Sequence, residues 1–387
     1  MPNPKKTGRG RRRETETSAR REIGPATQRA EATRIAEKKE LFDLHDKARE
    51  LFEQGKYRES FDTYVEYGDQ MGKTKGLAGV EAAILEAARK FEGLNYWYEA
   101  GNLYLIAANY LNNVGVTSDA GDFFLAAAET LDKAQDRSLK GLIASCYGAA
   151  SQTLRVAKKL SESDKVLMKG VLAATGKNPL EVEGIAFKTY RTNNFQGASD
   201  LFNEAAAIYV KAIDELSDLA SSVQEGPLAV DVKSTLHHRA AQNFLASAAC
   251  AWKSGNKQDA TKVATAKAAD QFTRAIINYT PLFSLGEAHK VDYRRYGYDL
   301  MMGTALRTTL GSTEDIGILQ DQLLAIDKER TKKLGESGYL VVALALMKTK
   351  KIRSVITDLQ DINLGSIDEI KDTIIELLMK SETEKKK

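Results

Sequence analysis

Apolar residues recur at three- and four-residue spacing along this chain, with charged residues on the opposite side. In the last such segment Ile367, Ile370, Ile374, Leu377 and Leu378 form one stripe, and in the first Asp43, Asp46, Glu50 and Glu53 take the solvent-facing positions. That is the pattern of amphipathic helices. Windows such as Leu105-Ile106-Ala107-Ala108 and Leu125-Ala126-Ala127-Ala128 add strong helix formers whose small side chains let neighbouring helices approach closely. No sustained alternation of period two bounded by turn residues occurs, so a sheet is not expected.

The helices are joined by a recurring phrase. Ala48-x-x-Leu51-Phe52 ends one helix, Gly55-Lys56 makes a tight turn, and Tyr57 opens the next, placed to pack back across the pair. The phrase returns at Ala88-x-x-Phe91 with Asn95-Tyr96, and at Ala186-x-x-x-Tyr190 with Asn194-Phe195. Weaker copies lie at Ala249 to Trp252 with Gly255-Asn256, and at Leu344 to Met347 with Lys350-Lys351-Ile352. Such grammar resembles tetratricopeptide-like units, in an irregular array. The expected fold class is all-α: a right-handed α-solenoid of tetratricopeptide-like antiparallel helix pairs over 35–335, with a C-terminal helical cap over 336–380. A disordered basic arm (1–34) and a charged tail (381–387) flank it.

Proline placement agrees with long helices. Three of the six prolines fall in the first 25 residues, and the others lie in Gly176-Lys177-Asn178-Pro179, Gly226-Pro227 and Asn278-Tyr279-Thr280-Pro281, where punctuation between helices is expected.

Charge changes the picture only at the N-terminus. The formal net charge is +3, and residues 1–22 alone hold eight Lys or Arg against three Glu. Within that arm Lys5, Lys6, Arg9, Arg11, Arg12 and Arg13 are the candidates for an anionic surface, either nucleic acid or lipid headgroups. The alternative is a solvated arm with no specific partner. The two cysteines, Cys146 and Cys250, lie in apolar helical contexts and read as small core residues in a reducing, cytoplasmic setting.

Signatures of catalysis are scarce. No Gly-rich phosphate loop or nucleophile elbow is present, and the four histidines lack partners at metal-ligand spacing. His237 and His238 are adjacent, so on a helix they point about 100 degrees apart. The expectation is a protein that is not an enzyme, without metal or cofactor. Tyr293, Tyr296 and Tyr298, with Arg294 and Arg295 between them, read as core aromatics with a weak nucleic-acid cue.

One acidic concentration stands apart: Asp358, Asp361, Asp368, Glu369, Asp372 and Glu376, facing only Lys371 nearby. It suits a basic docking partner, or the first turn of a helix whose dipole it complements.

The stretch Ala88-Arg89-Lys90-Phe91-Glu92-Gly93-Leu94-Asn95-Tyr96-Trp97-Tyr98-Glu99-Ala100-Gly101-Asn102 resembles the N-terminal repeats of the soluble NSF attachment protein (SNAP) family. Asp119-Ala120-Gly121-Asp122-Phe123-Phe124 looks like the next such helix, and Tyr339-Leu340, Leu359-Gln360-Asp361-Ile362 and Leu377-Leu378 match the C-terminal layout. The resemblance covers about residues 35–380. It implies an adaptor that lies along a helical SNARE-like bundle and recruits an AAA+ disassembly ATPase, in the cytoplasm or at the periphery of a membrane. By the same resemblance Asp358, Asp361, Asp368, Glu369, Asp372, Glu376, Leu377 and Leu378 are the residues that touch the ATPase. Two other readings stay open: a generic tetratricopeptide scaffold for a peptide or helix, and a nucleic-acid-associated factor acting through the arm.

Overall fold

The computed structural model describes residues 25–73, 80–157, 159–220, 227–255, 258–284, 292–326, 331–332 and 338–384. The arm residues Lys5, Lys6, Arg9, Arg11, Arg12 and Arg13 lie outside them. Two compact units are present, Met1–Lys75 and Gly76–Lys387. The first holds α1 (Pro25–Glu53) and α2 (Tyr57–Lys73). Helix α1 starts ten residues before position 35, with a proline at its first turn, where a missing N–H costs nothing.

The second unit runs through α3 (Val80–Gly93), α4 (Trp97–Asn113), α5 (Thr117–Lys133), α6 (Lys140–Val156), α7 (Leu160–Thr175), α8 (Pro179–Arg191) and α9 (Phe195–Ala220). It continues through α10 (Pro227–Lys253), α11 (Gln258–Ser284), α12 (Tyr293–Leu310), α13 (Thr313–Leu324), α14 (Tyr339–Thr349), α15 (Ile356–Asp361) and α16 (Lys371–Glu384). The described residues contain no strand. Helices pack mainly on their neighbours in sequence, the organisation of an all-α solenoid.

One turn chemistry repeats along both units. The backbone N–H of Lys56 donates to the carbonyl of Leu51 at 2.9 Å, Tyr96 to Phe91 at 3.0 Å, Val116 to Leu111 at 2.9 Å, Asn194 to Thr189 at 3.2 Å and Ser312 to Arg307 at 3.1 Å. Each donor follows a residue with left-handed backbone: Gly55, Asn95, Gly115, Asn193 and Gly311. These are Schellman-type closures, which give otherwise orphaned carbonyls a donor and demand Gly or Asn at the left-handed position. The donor residue then opens the next helix, because the carbonyls of Lys56, Tyr96, Val116 and Asn194 accept from Ser60, Ala100, Ala120 and Ala198. One residue thus ends one helix and begins the next.

Aromatic pairs brace three of these turns. Phe52 and Tyr57 meet with ring centroids 5.1 Å apart, Phe91 and Tyr96 at 6.1 Å, and Tyr190 and Phe195 at 5.4 Å. Tyr57 therefore packs back across its pair as the sequence implied.

Five of the hairpins bury small residues twelve apart in sequence. Ala48 and Ser60, Ala88 and Ala100, Ala108 and Ala120, Ser151 and Ser163, and Ala186 and Ala198 are all buried. Glycines bring the next helices in as closely: a Cβ on Gly101 would lie 2.5 Å from Leu131 Cγ, and one on Gly121 would lie 2.7 Å from Thr153 Oγ1.

The C-terminal segment does not stand apart as a separate layer. Leu340, Leu346, Leu364, Ile370 and Leu377 share one hydrophobic core with Phe202, Leu245, Phe272 and Met301. Each fully buried Leu or Phe of this kind contributes roughly 1.5–3 kcal/mol.

Pro281 departs from the expected punctuation. Helix α11 runs through it to Ser284, because Tyr279, Leu282 and Phe283 on either side are buried against α12 and a single missing N–H near the helix end is outweighed. Pro179 does open a helix, with Asn178 Oδ1 accepting from the N–H of Leu180 at 3.1 Å.

Candidate functional site

Two features of the second unit carry functional potential: an acidic rim on the C-terminal helices and a polar cleft among α6, α10 and α12.

The rim is built on a buried stripe. Ile367, Ile370, Ile374, Leu377 and Leu378 face inward at helical spacing, and Leu377 and Leu378 are only 2% and 1% exposed. Those two leucines, expected to touch a partner, instead pack in the core and have no surface to offer. Two of the six acids are also occupied. Asp368 Oδ1 accepts from the N–H of Leu364 at 2.9 Å and lies 3.8 Å from Lys371 Nζ. Glu369 takes the Arg191 guanidinium in two parallel bonds of 2.7 and 2.6 Å, tying the C-terminal turn to the end of α8. Asp358, Asp361, Asp372 and Glu376 are exposed, and among the described residues none has an ion-pair partner.

The rim is held in place from below. Tyr190 and Thr373 exchange a 2.8 Å hydroxyl bond, and Lys253 Nζ reaches both at 3.4 Å while lying 4.9 Å from the centre of the Phe195 ring. The α8–α9 turn and α16 therefore share one polar and aromatic joint.

The cleft has a volume of about 500 Å³. Arg155 from α6, Arg239 from α10, and Arg294 and Arg295 from α12 line it, with Ser366 from the turn before α16. Asp164 of α7 accepts from Arg155 Nη2 at 2.7 Å and from Arg239 Nη2 at 3.4 Å. Asp292 caps α12 by accepting from the N–H of Arg295 at 3.1 Å. Ser366 Oγ donates to Gln242 Oε1 at 2.8 Å, and Gln242 Nε2 donates to the carbonyl of Leu364 at 3.3 Å. The Arg295 guanidinium lies 4.9 Å from the centre of the Tyr279 ring.

Below the cleft floor, Asp299 is fully buried and lies 2.5 Å from His238 Nδ1. Burial pushes its carboxyl above the usual range, and His238 partly opposes that shift. His237 points elsewhere, to Gln271 Oε1 at 2.7 Å, and burial holds its pKa below the ordinary value. The adjacent histidines thus serve two different polar contacts, as their helical divergence required. Tyr296 and Tyr298 are buried in the core, as expected for that aromatic group.

No residue pattern announced the cleft, because its four arginines come from three helices spread over 141 positions of sequence. The available signals were the Arg294-Arg295 pair between tyrosines and the His237-His238-Arg239 run.

No family model matches this chain, and no curated protein matches it. Among solved structures, a protein described as a circular tandem repeat protein with novel repeat topology and enhanced subunit contact surfaces aligns over 89% of each chain at 10% identity, with a TM-score of 0.29. So loose a superposition speaks for neither fold nor function. Among the described residues no helix is long and apolar enough to cross a membrane.

Proposed function

We propose that this chain is a non-catalytic adaptor: a helical-repeat scaffold that holds one protein partner and offers its C-terminal acidic rim to a second, basic one. The resemblance to the soluble NSF attachment proteins suggests the finer reading, in which the first partner is a SNARE-like helical bundle and the second an AAA+ ATPase. The observation that carries the proposal is the rim itself. Asp358, Asp361, Asp372 and Glu376 project from elements whose apolar faces are buried, so four carboxylates are presented on a fixed support. Fixed like charges at a rim speed encounter with an oppositely charged surface and select against wrong partners. A support that does not rearrange keeps the ordering cost of binding low.

The test is a paired capture from native lysate with the full chain and with a variant carrying Asp358→Asn, Asp361→Asn, Asp372→Asn and Glu376→Asn. Recovery of an AAA+ ATPase by the unmodified chain alone, with the other captured proteins unchanged, supports the adaptor. Equal recovery of all proteins by both baits rules out the rim as the docking surface. ATP hydrolysis by the purified chain alone contradicts a passive scaffold.

A further inference from the structure

Helix α14 is apolar on two sides. Its first nine residues, Tyr339 to Met347, carry no charged side chain. Leu340, Val342, Ala343, Leu346 and Met347 are buried in the core. The opposite stripe, at three- and four-residue spacing, is Val341, Leu344, half-buried Ala345 and Lys348, with Val341 63% and Leu344 45% exposed. A helix that is apolar all round is characteristically covered all round, and here one side faces water. The charges that follow this stripe come in two blocks of opposite sign. Lys348, Lys350, Lys351 and Arg353 are exposed at and just beyond the end of α14, and Asp358, Asp361, Asp372 and Glu376 are exposed on α15 and α16. The two blocks belong to one run of packed elements, because the turn Ile352–Val355 between them packs on α14, α15 and α16 alike.

That pattern selects the occupant. A partner with one sign of charge matches only one block. A second copy of this chain carries the complement of both. Turned about a twofold axis, the basic turn of each copy faces the acidic block of the other, so one pairing is made twice. The apolar stripe beside the basic turn then meets its own counterpart, which takes Val341 and Leu344 out of water.

We propose that the chain forms a twofold dimer through the outer face of α14, with the basic turn of each copy seated on the acidic rim of the other. Two exposed apolar residues make a small patch, so the pairing belongs to the weak, reversible class, and its exposed charges make it sensitive to salt. The dimer does not depend on the adaptor reading. It does cover the rim, so by that reading self-association and capture of a basic partner compete.

The experiment is sedimentation equilibrium of the purified full chain, with no partner present, at about 1 to 200 µM. A monomer–dimer equilibrium is expected at about 50 mM NaCl, shifted toward monomer at about 500 mM. Val341→Asp should weaken association by roughly tenfold or more, as loss of a central apolar contact does. Two charge swaps test the pairing itself: a turn variant with Lys348→Glu and Lys351→Glu, and a rim variant with Asp361→Lys and Glu376→Lys. Each alone should dimerise less than the unmodified chain, and an equal mixture of the two should regain association, because the swapped blocks complement each other. All five positions are exposed, and thermal melts confirm that the variants fold. A chain that stays monomeric at about 200 µM in low salt overturns the proposal. So does association that neither swap weakens, or that the mixture fails to restore. A monomer that pellets with phosphatidylserine vesicles, and loses this with Val341→Asp, assigns the face to a membrane instead and also overturns it. Because the purified chain is measured alone, failure of the dimer leaves the capture experiment on the rim unaffected, and failure of that capture leaves the dimer standing.

Discussion

The hydroxyl of Ser163 donates to the backbone carbonyl of Ser151 across 2.6 Å, twelve residues apart in sequence, at the crossing of α6 and α7. Ser60 and Ala48 make the same contact at 2.7 Å between α1 and α2. Three other hairpins place a buried Ala at both positions, at 88 and 100, 108 and 120, and 186 and 198. In these hairpins small side chains let the backbones approach, and Ser60 and Ser163 add a hydrogen bond across the crossing.

Enlarging one of these positions should force the helices apart. Ala120→Leu is expected to destabilise the second unit by about 1–3 kcal/mol through overpacking. Chemical denaturation measures it, and an unchanged midpoint would mean that the crossing is looser than described.

Glycines separate packing from propensity, with opposite signs. Gly101→Ala places a Cβ 2.5 Å from Leu131 and should destabilise by about 1–3 kcal/mol. Gly148→Ala, in the middle of α6 with nothing within 4 Å of the new atom, should stabilise by about 0.5–1 kcal/mol. Paired thermal melts of the two variants check the contrast.

The buried thiols and phenols predict the alkaline behaviour. Burial pushes Cys146 and Cys250 from about 9, and Tyr296 from about 10, up to about 12. Burial, with Glu129 and Asp132 nearby, does the same for Tyr147. For a group whose folded pKa is raised, the stabilising difference is fully present below the unfolded pKa and is lost as pH rises through the folded one. Stability should therefore decline from about pH 9 toward pH 12. The native thiols should resist alkylation at pH 8, a reactivity that iodoacetamide labelling before and after unfolding measures.

The clip from Glu92 to Lys133 behaves in the reverse sense. Lys133 Nζ donates to Glu92 Oε1 at 2.8 Å and Tyr104 OH donates to Oε2 at 3.1 Å, linking α3, α4 and α5. The bond from Lys133 is the main cause of a lowered Glu92 pKa. Its contribution is present above the ordinary carboxylate range and lost on acidification. Partly exposed, it should amount to under about 1 kcal/mol, so Glu92→Gln should shift the melt only slightly at pH 7 and by less as the pH falls below the ordinary carboxylate range.

Local chemistry was the legible part of this chain. Gly55, Asn95 and the aromatic that follows each turn obey rules that act within ten residues, so the turn phrase located the hairpins. Gly115 closes α4 by the same rule between two valines, Val114 and Val116, where the apolar neighbours disguised it. Pro281 misled because burial of Tyr279 and Phe283 outweighs a local break. Leu377 and Leu378 carried both a core and a docking reading, and only the packing of α16 against α10 and α12 separates them. Arg191 and Glu369 are 178 residues apart, and nothing local to either announces the other.

The adaptor proposal turns on whether the rim touches the second partner. Carbodiimide cross-linking joins carboxylates to lysines at contact distance, and peptide mass spectrometry of the captured complex locates the joined residues. Cross-links from Asp358, Asp361, Asp372 or Glu376 to lysines of an AAA+ ATPase are the predicted result. Cross-links to that partner confined to other parts of the chain, with these four carboxylates unmodified in the complex, would contradict it.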